Sequence, residues 1–364
     1  MIDFTLFDSL TFQEELIEKF EEASGEVLSD GDERNTILNV MLYLTECIMN
    51  EINAQANNNL IAFCDLPHLI YYGAQQDTYR LEATYAKCRT RFTISGQADG
   101  SVTIPKGTRV TADGKMFFET TEETVVAPAS YADIDCIATD TGASGNGYGI
   151  GQINILVNTI PYVESVSNIT ASSGGADIQS EEDFRESVFY APLKYNTTGS
   201  EGAYVQRTKE VSANIKDVAV TASGANISVY ILCKGGALPS NELLAVAQEY
   251  LSQKDKKAIT DNVTCLAAVR KNYTVSLKYK INRADHTTLT AIQEEIENAV
   301  NEYVAASGEK MGTNINPEML LKTAYSAGAA SVTVLQPSQF IDLEEYEVPY
   351  CTSITITYDG VIGE

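Results

Sequence analysis

Side chains suited to catalysis or metal binding are few and poorly arranged. The chain has two histidines, His68 and His286, and seven cysteines, at positions 47, 64, 88, 136, 233, 265 and 351. Cys64 and His68 are spaced to share one helical face as metal ligands, but two ligands do not complete a zinc site and Pro67 interrupts the helix. A packed or half-exposed histidine is the plainer reading. His286, within Arg283-Ala284-Asp285-His286-Thr287, falls in a loop leading into a helix, with no visible partner. The cysteines form no CxxC pair, so they read as small buried apolar side chains and not as a disulfide framework or zinc ribbon. Ser144 and Ser173 match no nucleophile elbow.

The glycine-rich run 142–151 fits neither GxGxxG nor the Walker A spacing, and it precedes a strand instead of a helix, so tight backbone turns explain it better than a phosphate cradle. Asp30-Gly31-Asp32-Glu33 has part of a calcium loop's acids without the alternating ligands, the sixth-position glycine or the terminal Glu, and reads as a solvated turn. Fifty acidic residues offer many carboxylate pairs, and none stands out for glycoside hydrolysis. These residues assign no catalytic, cofactor or metal site.

The same acids, against 25 basic residues, give a formal charge of -25, which repels a phosphate backbone or an anionic membrane unless Lys and Arg cluster on one face; no such cluster is present. The most apolar stretch, 37–52, is broken by Asn39, Thr45, Glu46, Asn50 and Glu51, so it does not span a bilayer. Met1-Ile2-Asp3-Phe4 lacks the order of a signal peptide, and assembly in the cytoplasm is expected.

The chain is long enough for two or three domains. Residues 1–90 read as helical. Thr11-Phe12-Gln13-Glu14 predicts a capping box, and a longer helix is expected over 33–63. From 91 to 190 the period shifts toward two, and a small all-β module is expected, with Pro105-Lys106-Gly107 as a type I turn and Asp113-Gly114 as a hairpin signal. Ser180 should cap a helix reaching about residue 190, and a linker over 191–200 marks a boundary. In 191–364 a helix-strand-strand order recurs, followed by helices over 288–306 and from Asn316-Pro317 and by two more strands, which predicts helices over one face of antiparallel sheets. The fold class is therefore α+β and multidomain: N-terminal helices, a central β module and repeated α+β layers.

Ile37, Met41, Leu44, Ile48 and Ile52 fall on one stripe of the long helix, widened by Leu38, Leu42 and Met49. The stripe either packs within the chain or joins helices of other subunits. Pattern alone favours the internal core, yet this helix, ahead of a β module, is where a partner is expected to dock.

The chain resembles the baseplate J-like family, whose members build the wedges of contractile phage baseplates and of related bacteriocin and injection particles. Ile104-Pro105-Lys106-Gly107-Thr108-Arg109-Val110 and Phe118-Glu119-Thr120-Thr121-Glu122 resemble its IPxGTxV…FxTxE passage. Gly142-Ala143-Ser144-Gly145-Asn146 and Val166-Ser167-Asn168 are similar to its next landmarks, and Gly174-Gly175-Ala176-Asp177 with Ser180-Glu181 and Arg185 resembles its GGxDxES…R segment. Gly199-Ser200, Ala203-Tyr204, 239–244 and 312–320 follow its C-terminal order; Asp65-Leu66-Pro67-His68-Leu69 departs from it by having no Asp between the leucines. The resemblance implies a structural, non-enzymatic part of a sixfold plate at the end of a tail tube, in a phage or tail-like particle. It implies pairing between copies, a second wedge protein on the N-terminal helices, neighbouring sheath-initiator or hub proteins, and neither cofactor nor nucleic acid. A tail-fibre adhesin is the first rival, suited by Tyr- and Thr-rich strands but opposed by the helical N-terminus. A cell-wall hydrolase is the second, opposed by the scarcity of histidine.

Overall fold

The computed structural model describes residues 2–29, 31–196, 199–282 and 289–363. Asp30 and His286, with the loop readings attached to them, lie outside the described residues, as do Thr197 and Thr198 of the expected linker. The chain divides into two compact units, Met1–Arg80 with Ser180–Ala191, and Leu81–Gln179 with Pro192–Glu364. The architecture is α+β and multidomain.

The first unit is helical: α1 (Ser9–Ser24), α2 (Arg34–Asn58), α3 (Leu66–Gln75) and α4 (Glu181–Tyr190). The cap of α1 is Asp8 and not Thr11. Its carboxylate accepts from the Thr11 amide at 3.2 Å, so the helix begins earlier and Thr11 becomes a first-turn residue. α2 ends sooner than its apolar pattern, at Asn57-Asn58-Asn59, because asparagine side chains compete for backbone groups. Asn59 Nδ2 donates to the Gln55 carbonyl at 3.0 Å and Asn58 Oδ1 accepts from the Asp65 amide at 3.0 Å. Asp65 and Ser180 cap α3 and α4, accepting from the amides of His68 and Asp183 at 3.1 Å each. A small core of Cys64, Leu69, Phe184 and Val188 joins α3 to α4. Gly73 is required at that contact, since a Cβ there would stand 2.5 Å from the Thr78 carbonyl oxygen.

In the second unit, β1 (Tyr85–Ile94), β3 (Arg109–Thr111), β4 (Phe117–Thr120), β6 (Tyr131–Thr141), β7 (Ile155–Leu156) and β8 (Val163–Asn168) form an antiparallel sheet in the order β7-β3-β4-β6-β1-β8. β2 (Val102–Ile104) and β5 (Thr124–Val126) pair beside it. The two outer strands, β7 and β8, follow one another in sequence, and Asn168 bonds back to Ile153, so the sheet curls into a near-barrel around Phe92, Ile104, Val110, Phe118, Ile134 and Ile153. The alternation along β1 is what such a one-sided core demands.

Two further layers follow. α5 (Glu201–Lys209) and α6 (Asn241–Leu251) cover the sheet β11-β10-β9, made of β9 (Ile215–Ser223), β10 (Asn226–Cys233) and β11 (Asn262–Ala267), around Tyr204, Val229, Ile231, Ala247 and Leu251. α7 (Leu289–Ser307) and α8 (Pro317–Ser326) cover β13-β12-β14, made of β12 (Val269–Asn282), β13 (Ser331–Gln336) and β14 (Glu347–Ile362), around Val275, Leu277, Ile281, Ile296, Val300 and Leu320. These sheets are mixed and not purely antiparallel, because β11 runs parallel to β10 and β14 parallel to β12. The second helix-strand-strand round is also divided between them. β11 and β12 are separated by Ala268 alone, whose amide donates to the Ile231 carbonyl at 3.0 Å, while the Val269 amide donates to the Tyr346 carbonyl at 3.1 Å. One extended run of chain thus leaves one sheet and enters the next. Leu232, Ala268, Met311 and Val348 pack at the crossing, where Tyr230 and Tyr346 stack at 4.7 Å.

Candidate interaction surface and the loops that frame the barrel

α1 and α2 make an antiparallel pair in which Gln13 meets Asn39 at 3.1 Å and the Arg34 guanidinium lies 5.7 Å from the Phe20 ring centre. Leu38, Leu42 and Met49 are the less exposed apolar residues of α2, as are Phe12, Leu16, Ile17 and Phe20 of α1, and together they mark the seam. The predicted stripe lies beside that seam and not in it: Ile37, Met41, Leu44, Ile48 and Ile52 are between 48% and 62% exposed. The internal-core reading is corrected accordingly, because α1 covers a single face of α2. Val40 and Tyr43 add to the uncovered apolar surface.

The N-terminal segment is tied to the far end of α2 by two asparagines that sequence reading did not single out. Asn57 accepts from the Ile2 amide at 2.9 Å and donates to the Ile2 carbonyl at 2.8 Å. Asn53, one turn earlier, accepts from the Phe4 amide at 2.8 Å and donates to Asp3 Oδ1 at 2.8 Å. The asparagine hydrogen bond and neighbouring amides hold the Asp3 carboxyl below its ordinary range.

Several of the residues screened for chemistry have structural partners, while Cys47, expected to be buried, is exposed because it lies on the uncovered side of α2. Cys64 is buried, with the Arg185 guanidinium 3.6 Å from its sulfur, while the His68 ring turns to the exposed Asp65 carboxylate and lowers the Asp65 pKa through that hydrogen bond. They share no site. Arg34 grips Asp32 with Nε at 2.9 Å and Nη2 at 2.6 Å, which pulls the Asp32 pKa down to about 2 and takes up the carboxylate of the calcium-like turn. Burial pushes the Cys233 and Cys265 thiols up to about 11, so they are protonated and inert at neutral pH. Among the described residues, no group of three or more His, Cys, Asp or Glu side chains is placed to hold a metal ion, and no helix is long and apolar enough to cross a membrane.

The family-like segments hold loops in register. Gly107 adopts a φ of +81°, and the Thr108 amide donates to the Pro105 carbonyl at 3.3 Å, so the turn closes one residue later than predicted with glycine at its third position. The same carbonyl accepts from the Thr108 and Thr120 hydroxyls at 2.7 and 2.8 Å, fixing the β3–β4 hairpin. Asn146 and Gly175 exchange two hydrogen bonds, Nδ2 to the Gly175 carbonyl at 2.7 Å and the Gly175 amide to Oδ1 at 2.8 Å. The Ala143 amide donates to Asp177 at 3.0 Å. A Cβ on Gly175 would lie 2.3 Å from the Gly142 carbonyl oxygen, so only glycine permits this clasp. Fully buried Asn168 sews the barrel seam: Oδ1 accepts from the Ile153 amide at 2.8 Å, and Nδ2 donates to the carbonyls of Gly149 at 2.9 Å and Thr170 at 2.7 Å. Arg185 donates to the Ile61 carbonyl and to Glu181, each at 2.6 Å, tying α4 to the turn beyond α2.

Three models of one family match the chain in order: the baseplate J-like protein barrel domain over residues 90–175, the baseplate J-like central domain over 196–267, and the baseplate J-like protein C-terminal domain over 275–357. The chain belongs to the baseplate J-like family. A relative, baseplate protein J of Escherichia phage P2, is 24% identical over 191 residues, a match covering 51% of this chain and 61% of that protein. A chain in the six-fold symmetrised cryo-electron microscopy structure of the anti-feeding prophage baseplate aligns at 10% identity and a TM-score of 0.45, covering 94% of this chain and 90% of that one.

Proposed function

We propose that this baseplate J-like protein is a structural, non-enzymatic component of the baseplate of a phage tail or tail-like particle, acting as a wedge subunit in a sixfold plate. The ordered match to the three family domains carries this reading. Residues 1–90 form the assembly region, and its uncovered stripe of Ile37, Met41, Leu44, Ile48 and Ile52 receives helices of a second wedge protein; residues 191–364 provide contacts between copies. Burying such a stripe removes apolar surface from water, which favours association by about 25 cal/mol per Å² before the cost of bringing the partners together. Contacts that part when a sheath contracts are modest ones, which lets the plate change shape on triggering.

Immunogold electron microscopy of intact particles tests the placement: label confined to the tail-tip baseplate supports it, and label on projecting fibres overturns it. The stripe has its own test. Met41→Asp or Ile48→Asp should abolish capture of the second wedge protein in co-purification while the C-terminal layers stay folded, and undiminished capture by both variants would refute the assignment.

A further inference from the structure

The sequence holds a single Asn-Gly step, Asn146-Gly147. Asparagine before glycine is a reactive setting for this thermolabile side chain, because glycine has no Cβ to keep its own amide nitrogen from reaching back to the asparagine carboxamide. Here the step lies inside the clasp between the loop after β6 and the segment after β8, and the clasp holds each reacting group away from the others. The carboxamide is engaged at both ends, with Nδ2 donating to the Gly175 carbonyl at 2.7 Å and Oδ1 accepting from the Gly175 amide at 2.8 Å. The attacking nitrogen is engaged too, since the Gly147 amide donates to the Ser172 carbonyl at 3.0 Å. The backbone between them is extended, with an Asn146 ψ of 162°, which turns the Gly147 nitrogen out of the plane in which a five-membered ring with the side chain would close. Burial does not supply the protection: Asn146 is half-buried and Gly147 is exposed.

We propose that Asn146 is a latent deamidation site that the clasp keeps shut, and that reaction there turns a reversible opening of the two loops into a permanent one. With the clasp open, ψ is free to rotate and the Gly147 nitrogen attacks Cγ of Asn146. A Cγ–N bond forms, the Cγ–Nδ2 bond breaks, and Nδ2 leaves as ammonia with the proton that the Gly147 amide gives up. Water then opens the cyclic imide at one of its two carbonyls. One cleavage gives aspartate, and the other gives isoaspartate, in which the main chain runs through the former side chain. The sequence of steps consumes water alone.

Neither product remakes the clasp. Aspartate offers no donor to the Gly175 carbonyl, so a carboxylate oxygen would face that carbonyl oxygen across the 2.7 Å that Nδ2 spans. The new charge also joins that of Asp177, whose carboxylate already accepts from the Ala143 amide at 3.0 Å. Isoaspartate adds a carbon to the main chain where there is no room for one: a Cβ on Gly175 would lie 2.3 Å from the Gly142 carbonyl oxygen and 3.0 Å from Asn146 Oδ1. The two loops meet at the end of the barrel beside the start of β1, where Thr84 bridges Ala176 and Lys87 bridges Ser173. Deamidation therefore frays that end while the core around Phe92 and Phe118 stays filled.

Peptide mass spectrometry of the full chain, incubated in mildly alkaline buffer, follows the loss of the Asn146 carboxamide. The folded wild type should react about tenfold or more slowly than the same chain unfolded in urea, because the folded chain reacts only through local opening. Equal rates overturn the lock. Gly175→Ala, checked for folding by circular dichroism, should bring the folded rate close to the unfolded one; a folded Gly175→Ala chain that keeps Asn146 as long as the wild type does refutes the role of the clasp. Should Gly175→Ala not fold, Asn146→Asp gives the second reading. Its amides over 142–147 and 172–177 should exchange hydrogen faster than in the wild type, with those over 88–94 unchanged. Exchange unaltered throughout overturns the claim that the product leaves the loops open.

Discussion

The α1–α2 pair and the near-barrel use similar apolar side chains to opposite ends. In the barrel, apolar residues alternate inward and the loops are locked from within, by the Asn146–Gly175 exchange and by Asn168 across the seam. In the helical pair, Leu38 and Asn57 are the buried residues of α2, α1 has none, and a row of Ile, Leu and Met faces outward. The barrel fills its own core, whereas the pair leaves an apolar row of α2 uncovered, which on the proposed reading a partner covers. A barrel substitution should therefore be felt in the isolated chain, and a stripe substitution only in the assembly.

Phe118→Ala should show the largest effect. Emptying a fully buried ring site costs about 3–5 kcal/mol, which urea denaturation of the β module would register. Next comes Asn168→Ala, which strands the Ile153 amide, removes the side-chain donor to the Thr170 carbonyl and leaves the Gly149 carbonyl with its bond from the Gln152 amide at 3.2 Å; a loss of about 1–3 kcal/mol is expected, together with faster hydrogen exchange over 149–153. A near-neutral result would mean that the seam is held by strand pairing alone. The smallest effect belongs to Ile48→Asp in the isolated chain, within about 0.5 kcal/mol of wild type by thermal denaturation, since the side chain is already 58% exposed. A loss comparable to that of Phe118→Ala would erase the distinction between the two regions.

Local chemistry was well written in the sequence. The Ser180 and Asn316-Pro317 starts, the Asp113-Gly114 hairpin and the alternation along β12 all appear as read, because each depends on residues within a few positions of one another. The α1 cap was missed by three residues because Asp8 and Thr11 are both able caps and only backbone geometry chooses between them. The orientation of α2 was ambiguous because Leu38, Leu42 and Met49 are as apolar as the stripe beside them, so periodicity gives the faces but not the one α1 covers. The exchange of sheets at Ala268 carries no glycine or proline, and the polar Arg270-Lys271-Asn272 just beyond it lies inside β12, so the sequence marks a break near the crossing without showing that the two strands enter different sheets. The roles of Asn146, Asn168 and Arg185 were foreshadowed only by family resemblance, since their partners lie 29, 15 and 124 residues away.

That uninterrupted passage through Ala268 matters for load. A force that draws this run lengthwise past β10 or β14 shears each ladder, so its hydrogen bonds share the load and slip together instead of opening singly from one end. With Leu232, Met311 and Val348 packed around the crossing and Ala268 alone between the two strands, no slack length of chain is there to be drawn out before the layers feel a pull.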